Sequence, residues 1–368
     1  MRAVARVDTG AVERNCAHLK ATLGAGSELC AVVKADGYGH GAEACAAAAL
    51  AGGATRLAVA TGAEAAQIGA AFAGVPLLTM GALAPEDLEM ALAAGSDVAV
   101  WHEEFRRVVA DRARATGRPA RVHVKHDSGM GRLGTVDPGE VVELARACAA
   151  DPDLELAGVW THFATADEPA STFFDEQLER FTVVAEAVKS EFPALTVHAA
   201  NSAAVLRDPR SHFDMARCGV AVYGLDPFQG DPAGNGLSPA LSLCSYVADV
   251  KRFDAGASAG YGQTWRAERD TWVGVLPLGY GDGVRRGLSN NAEVLIRGSR
   301  YPLVGTVSMD NVTVDLGPGL DVEQGEEAVL IGSQGSERIL AEDVAGRLGT
   351  INYEVTCGIS ARVPREHV

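Results

Sequence analysis

The sequence predicts an α/β protein, an N-terminal (β/α)8 TIM-type barrel followed by a mostly-β C-terminal domain. Three observations carry this. Short β-branched runs alternate with helical runs through roughly the first 225 residues, which is the pattern of parallel βαβ units. The strand-like runs number eight, which favours a closed barrel over an open doubly wound sheet. The texture then changes at the Gly- and Pro-rich stretch PFQGDPAGNGLSP (227–239), beyond which strand-like runs dominate. These place a barrel domain at 1–228, a linker at 229–240 and a C-terminal β domain at 241–368.

The expected barrel strands are CAVVK (30–34), RLAVA (56–60), PLLTM (76–80), DVAVW (97–101), RVHVK (121–125), LAGVWT (156–161), LTVHA (195–199) and the segment around Met215–Val222. Between them PEDLEMALAAG (85–95), EEFRRVVADRARATG (103–117) and STFFDEQLERFTVVAEAVKSEF (171–192) repeat their apolar residues at helical spacing. Several end at a glycine, the usual left-handed cap. Past the linker the runs LSLCSYVADVKRF, TWVGVLPLGY, AEVLIRG, YPLVGTVSMDNVTVDLG, EEAVLIG and NYEVTCGI read as strands, interrupted by one short helix, AEDVAGRLG (341–349).

Composition removes several function classes. There are 32 basic against 48 acidic residues, a net charge of -16. A nucleic-acid binder needs clustered Lys and Arg, and docking on anionic lipid needs a basic surface. Neither is expected. The seven cysteines form no C-x-x-C pair, so neither a metal site nor a redox motif is expected. They read as free, buried thiols in a reducing cytoplasm. The start MRAVARVDTG has no apolar h-region, and no stretch is apolar enough to span a membrane.

In such a barrel the active site forms at the C-terminal ends of the strands. The polar residues expected there are Lys34, Lys125, His162, Asn201 with Ser202, and Arg217 beside Gly219. A lysine ending three apolar residues is partly desolvated, which frees its amine for Schiff-base chemistry. It is equally what a snorkelling strand-end lysine looks like. The run Gly37–Ala42 matches the dinucleotide fingerprint G-x-G-x-x-A. However, the nearest acidic ribose partner, Glu64, falls inside the next helical pattern. A dinucleotide site, a plain loop and a phosphate-cofactor loop beside a reactive lysine all remain open for it. Asn201–Ser202 and Arg217-x-Gly219-Val220 can cradle a phosphate. Lysine, phosphate cradle and arginine together point to pyridoxal phosphate (PLP).

A wider set of motifs carries a resemblance. AVVKADGYGHG (31–41), HDSGMGRLG (126–134), THFATADE (161–168), NSAA (201–204), RCGVAVYG (217–224), AGYGQTW (259–265), LGYGDG (278–283), VGTVSMDN (304–311) and NYEVTC (352–357) resemble, in order and across nearly the whole chain, the bacterial alanine racemases. The resemblance implies a PLP enzyme of fold type III, working as a head-to-tail homodimer on alanine. Lys34 would hold PLP as a Schiff base and act as one base. Tyr261 would be the other, donated across the dimer interface. His162, Arg217 and Arg132 fall on supporting residues, and Tyr38, Ser202, Gly219, Val220 and Tyr353 on phosphate binders. Met309 and Asp310 match partner-chain residues near the substrate carboxylate. Lys125 matches a lysine that is carbamylated in many members, orienting Arg132. Tyr280 and Arg286 match the substrate corridor. His126 stands at a usually apolar position, and Thr306 where some members carry an arginine.

The implied chemistry is coherent. Racemisation removes a Cα proton from one face and returns one to the other, so two opposed bases avoid moving one. A tyrosine, with pKa near ~10, needs nearby cations or hydrogen bonds to serve, and His162 and Arg217 are the candidates. D-alanine would supply peptidoglycan in the cytoplasm. Competing readings are racemisation of serine, which an apolar pocket rejects only by about 100-fold, a fold type III decarboxylase, a PLP carrier, and a dinucleotide-linked oxidoreductase.

Overall fold

The computed structural model describes all 368 residues, Met1–Val368. The chain divides into two compact units. One holds Val12–Gly37 and Ala42–Val222, the other Met1–Ala11, Tyr38–Gly41 and Tyr223–Val368.

The first unit is a closed barrel of parallel strands: Glu28–Val32, Arg56–Val59, Leu77–Thr79, Asp97–Val100, Ala120–Lys125, Leu154–Trp160, Thr196–His198 and Met215–Cys218. Each lies on one of the β-branched runs. The ring closes where Glu28 pairs with Met215 and Ala31 with Cys218. Residues such as Leu29, Ala31, Val98, Val122, Val124 and Val159 are buried on both faces of this ring, which is why its strands read as continuous apolar runs. The helices Pro85–Ala93, Glu103–Thr116 and Phe173–Glu191 form where apolar spacing places them. The second ends at Gly117, whose φ of 71° is the left-handed cap.

The main sheet of the other unit runs Asp249–Phe253, Thr271–Leu276, Val312–Gly317, Ser299–Val304, Ala292–Ile296, Glu327–Gln334, Leu241–Tyr246, Ala3–Val7, Arg365–His367. Ala3–Val7 lies antiparallel to Leu241–Tyr246 and parallel to Arg365–His367. A boundary at 228 leaves these first residues beside the barrel, whereas strand pairing puts them in the later sheet. The alternation in AVARV announces a strand but names no partner. The Gly- and Pro-rich stretch is an ordered loop around buried Asp226, whose carboxylate accepts from Phe228 N, Gly230 N and Asn235 Nδ2.

Two expectations are corrected. NYEVTC is a helix, Asn352–Cys357, not a strand. Its buried residues Asn352, Val355 and Thr356 follow i, i+3, i+4 spacing, and tertiary burial of that face overrides the β propensity of Tyr, Val and Thr. No cysteine forms a disulfide, and six are buried, but Cys357 is exposed. No helix is long and apolar enough to cross a membrane.

Candidate active site

The first barrel strand stops at Val32, so Lys34 lies just past the strand rather than on it. It opens a left-handed turn in which Ala35, Asp36, Gly37 and Tyr38 have φ of 53°, 51°, 61° and 53°. Each non-glycine residue costs about 1–2 kcal/mol in this conformation, so the turn must be held. Gly37 N bonds back to Val33 O at 2.9 Å, and the Asp36 carboxylate accepts from Ala42 N at 2.9 Å. Glu64 accepts from Ala35 N at 2.7 Å while also capping its own helix, Gly62–Ala71. With its oxygens committed to backbone, Glu64 is not placed as a ribose partner, which leaves the dinucleotide fingerprint without its acidic residue.

Arg217, on the last barrel strand, is buried and finds no carboxylate. It donates to His198 Nδ1 at 2.7 Å, Thr161 O at 2.8 Å, Ala199 O at 3.1 Å and His162 Nδ1 at 3.4 Å. Behind it runs a chain across the barrel interior. His198 Nε2 meets His123 Nδ1 at 2.8 Å, and His123 Nε2 meets Asp97 Oδ2 at 3.1 Å. An arginine only donates and a carboxylate only accepts. Both imidazoles are therefore neutral, each with its proton on Nε2. Burial depresses both, His198 the more, with the Arg217 charge adding to its shift. Burial raises Asp97, but the His123 hydrogen bond and the Arg121 and Arg56 guanidinium groups outweigh it and leave its carboxyl below the usual range.

Burial also lowers Arg217, to about 10, so it stays charged at neutral pH. The Trp160 ring takes two cations, with Arg217 4.7 Å and Lys125 4.2 Å from its centre. Burial, then the charges of Arg217 and Arg132, push the Lys125 amine down to about 7, and Lys34 adds to this. Burial and the same cations hold His162 well below its ordinary pKa. His162 is thus held in its neutral form, and Arg217 is the charged member of the pair.

Around this cluster the supporting residues are fixed locally. The Asp127 carboxylate accepts from the backbone N–H of Gly129, Gly131 and Arg132 at 3.0–3.1 Å, which shapes the loop that carries Arg132. Ser128 instead bonds Thr161 and His126 bonds Thr135 O, so the three neighbours 126–128 share no triad. The His126 ring stacks on Phe181, which absorbs the departure from an apolar residue. Ser202 Oγ accepts from Gly219 N at 3.1 Å and Ala221 N at 3.3 Å, joining two expected phosphate-cradle segments. Asn201 Oδ1 is occupied in capping its helix through Ala204 N.

The other unit brings together a second group. The Tyr38 ring lies 6.1 Å from that of Tyr353 and 5.1 Å from that of Tyr223. Tyr261, Met309 and Tyr280 are exposed at 74%, 51% and 44%. Tyr261 follows Gly260, where a Cβ would come within 2.9 Å of Thr306 N, and its carbonyl accepts from Thr306 Oγ1 at 2.8 Å. Tyr280 N and Gly281 N donate to Ser308 O and Met309 O. Asp310 is held by Arg362 at 2.6 Å.

Two family models match: "Alanine racemase, N-terminal domain" over residues 7–227 and "Alanine racemase, C-terminal domain" over 240–367. The chain belongs to the alanine racemase family. Its members are PLP-dependent isomerases. The alanine racemase of Symbiobacterium thermophilum is 44% identical over 98% of this chain and 96% of its own. That of Geobacillus kaustophilus is 40% identical over 98% of this chain and 92% of its own. The crystal structure of alanine racemase from Streptomyces lavendulae covers 100% of this chain and 97% of its own at 38% identity, with a TM-score of 0.94.

Sequence reasoning overlooked Asp97, His123, His198, Trp160 and Arg362. The signal for the first three was available, since charged and titratable residues inside apolar strand runs are rarely buried without partners. His123 and Lys125 are two apart in one strand, which puts them on one face. For Arg362 no local signal exists.

Proposed function

We propose that the protein interconverts L- and D-alanine with PLP held through Lys34, as a cytoplasmic homodimer supplying D-alanine for peptidoglycan. The observation that carries the reading is Arg217, a buried cation held by neutral acceptors at the barrel end that also carries Lys34, His162 and Lys125. The donor set fits the cofactor. An uncompensated guanidinium suits an unprotonated ring nitrogen, and Ser202 with the Gly219–Val220 backbone suits a phosphate. The chain's near-complete likeness to alanine racemases supports alanine as substrate.

When bound, PLP supplies a conjugated ring that acidifies the Cα–H of an attached amino acid. Lys34 Nζ takes or returns the Cα proton on one face, and Tyr261 Oη of the partner subunit does so on the other. Arg217 stays protonated and leaves the ring nitrogen neutral, which limits charge delocalisation and favours prompt reprotonation over transamination. Arg132, braced by the Asp127 loop, holds a carboxylate or phenolate by its guanidinium. Lys125 is neutral for much of the time near pH 7, the form whose nitrogen can add to carbon dioxide with loss of a proton. Its carbamate would bridge to Arg132. Tyr261, Met309 and Tyr280, exposed together on one unit, support a surface that a second subunit covers.

The test is chiral chromatography of L-alanine incubated with the protein and PLP, with Lys34→Ala as control. D-alanine from the wild type and none from the variant is the expected result. PLP bound through Lys34 with no D-alanine formed would refute the substrate and keep the cofactor.

A further inference from the structure

The left-handed turn behind Lys34 raises the question of what keeps it in place. Right-handed backbone is open to Ala35, Asp36 and Tyr38 at lower energy, and only Gly37 is indifferent. Relaxation of Ala35 would swing the adjoining Lys34. Glu64 lies 29 positions away and reaches this point with one oxygen, accepting from Ala35 N at 2.7 Å. Its other oxygen accepts from Ala60 N at 2.8 Å and Thr61 N at 3.1 Å. Its own N–H is bonded by Thr61 Oγ1 at 3.2 Å. One carboxylate therefore ties together the end of the second barrel strand, the start of the helix Gly62–Ala71 and the residue after Lys34.

We propose that Glu64 is a positioning residue for Lys34, locking Ala35 in its left-handed conformation so that the amine stays aimed at the cofactor. This rests on the reading that Lys34 holds PLP. Both oxygens are needed. A glutamine has a single acceptor oxygen, and its amide nitrogen would face an N–H. Placed to keep the two helix-capping bonds, it loses the bond to Ala35. Glu64→Gln thus removes the clamp while sparing most of the cap.

The experiment compares the wild type, Glu64→Gln, Thr61→Ala and the double variant Ala35→Gly/Glu64→Gln. PLP dissociation constants and the pH titration of the visible band of the Lys34-linked cofactor are measured for each, with the melting temperature alongside. Thr61→Ala removes a cap bond without touching Ala35. It should lower the melting temperature and leave both cofactor readouts in place. Glu64→Gln should weaken PLP about tenfold or more, the scale of one hydrogen bond to a charged group, and displace the titration midpoint. Glycine accepts φ of 53° without strain, so the double variant should recover much of the lost affinity. Equal PLP affinity and titration in Glu64→Gln and Thr61→Ala would overturn the proposal, as would a loss that Ala35→Gly does not repair. If Glu64→Gln does not fold, Ala35→Gly alone still tests the strain, since it should hold PLP at least as tightly as the wild type, and weaker binding would overturn the clamp. If the wild type itself forms no Lys34-linked band, the PLP reading fails first, and the two failures are told apart.

Discussion

Replacing Lys125 by methionine should stabilise the apoenzyme, and more at low pH than at high. Lys125 is 3% exposed, and its amine titrates at about 7 against 10.5 for a free lysine. A folded-state pKa that lies below the unfolded one means the unfolded chain binds more protons between them, so stability rises with pH across that window. Below about pH 7 the full penalty applies. At about 1.4 kcal/mol per pH unit, the gap from 10.5 to about 7 costs on the order of 5 kcal/mol. By pH 9 the unfolded chain's preference for the proton has shrunk, and the penalty falls to roughly 2 kcal/mol. Methionine keeps the aliphatic length and has no charge to desolvate. Lys125→Met should therefore exceed the wild type in stability at pH 6, and the margin should narrow by roughly 3 kcal/mol by pH 9. The assay is urea unfolding of both apoenzymes in carbonate-free buffer at several pH values, so that no carbamate forms. A constant difference between the two proteins across this range would refute a buried, neutralised Lys125.

Other outcomes follow from the same geometry. Arg217→Glu should raise side transamination of alanine to pyruvate, measured by coupled assay, because a carboxyl group keeps the ring nitrogen protonated; no rise would count against the neutral-ring argument. Lys34→Ala and Tyr261→Phe chains, each inactive alone, should regain activity on mixing through one intact site per heterodimer, and failure to complement would exclude a shared site. Gly158→Ala should unseat His123, since a Cβ there would lie 2.3 Å from its Nδ1; a melting temperature lowered by several degrees and a weakened hold on Arg217 are expected, and an unchanged His123 tautomer by 15N NMR would contradict it. A thiol reagent should modify one cysteine, Cys357, in the native chain and all seven after denaturation.

The barrel was legible because its strands are buried on both faces and its helices on one, and the two periods differ. The candidate residues at the strand ends could be named because the fold tells where to look. What stayed hidden depends on distance along the chain. Asp97, His123 and His198 come from three strands, and nothing in DVAVW, RVHVK or LTVHA says that their side chains meet. The turn at 35–38 was hidden for the opposite reason. Alanine prefers right-handed backbone, and the carboxylate that Ala35 N–H meets comes from Glu64, far along the chain. Asn352–Cys357 misled because its β-branched residues match a strand, while its helical burial depends on neighbours that the local sequence does not show.

The pairing of Ala3–Val7 with Leu241–Tyr246 and Arg365–His367 has a consequence for how the chain is made. During synthesis the first strand emerges early, Leu241–Tyr246 only after the whole barrel and Arg365–His367 last, so the first strand stays unpaired while the barrel is translated. The barrel can close as soon as Met215–Cys218 meets Glu28–Val32, but the sheet built on Ala3–Val7 waits for Arg365–His367. An unpaired strand edge exposed for so long invites wrong partners. In AVARV the one charged residue, Arg6, forms an ion pair with Glu327 once the sheet is complete. Until then its charge discourages pairing with another nascent chain.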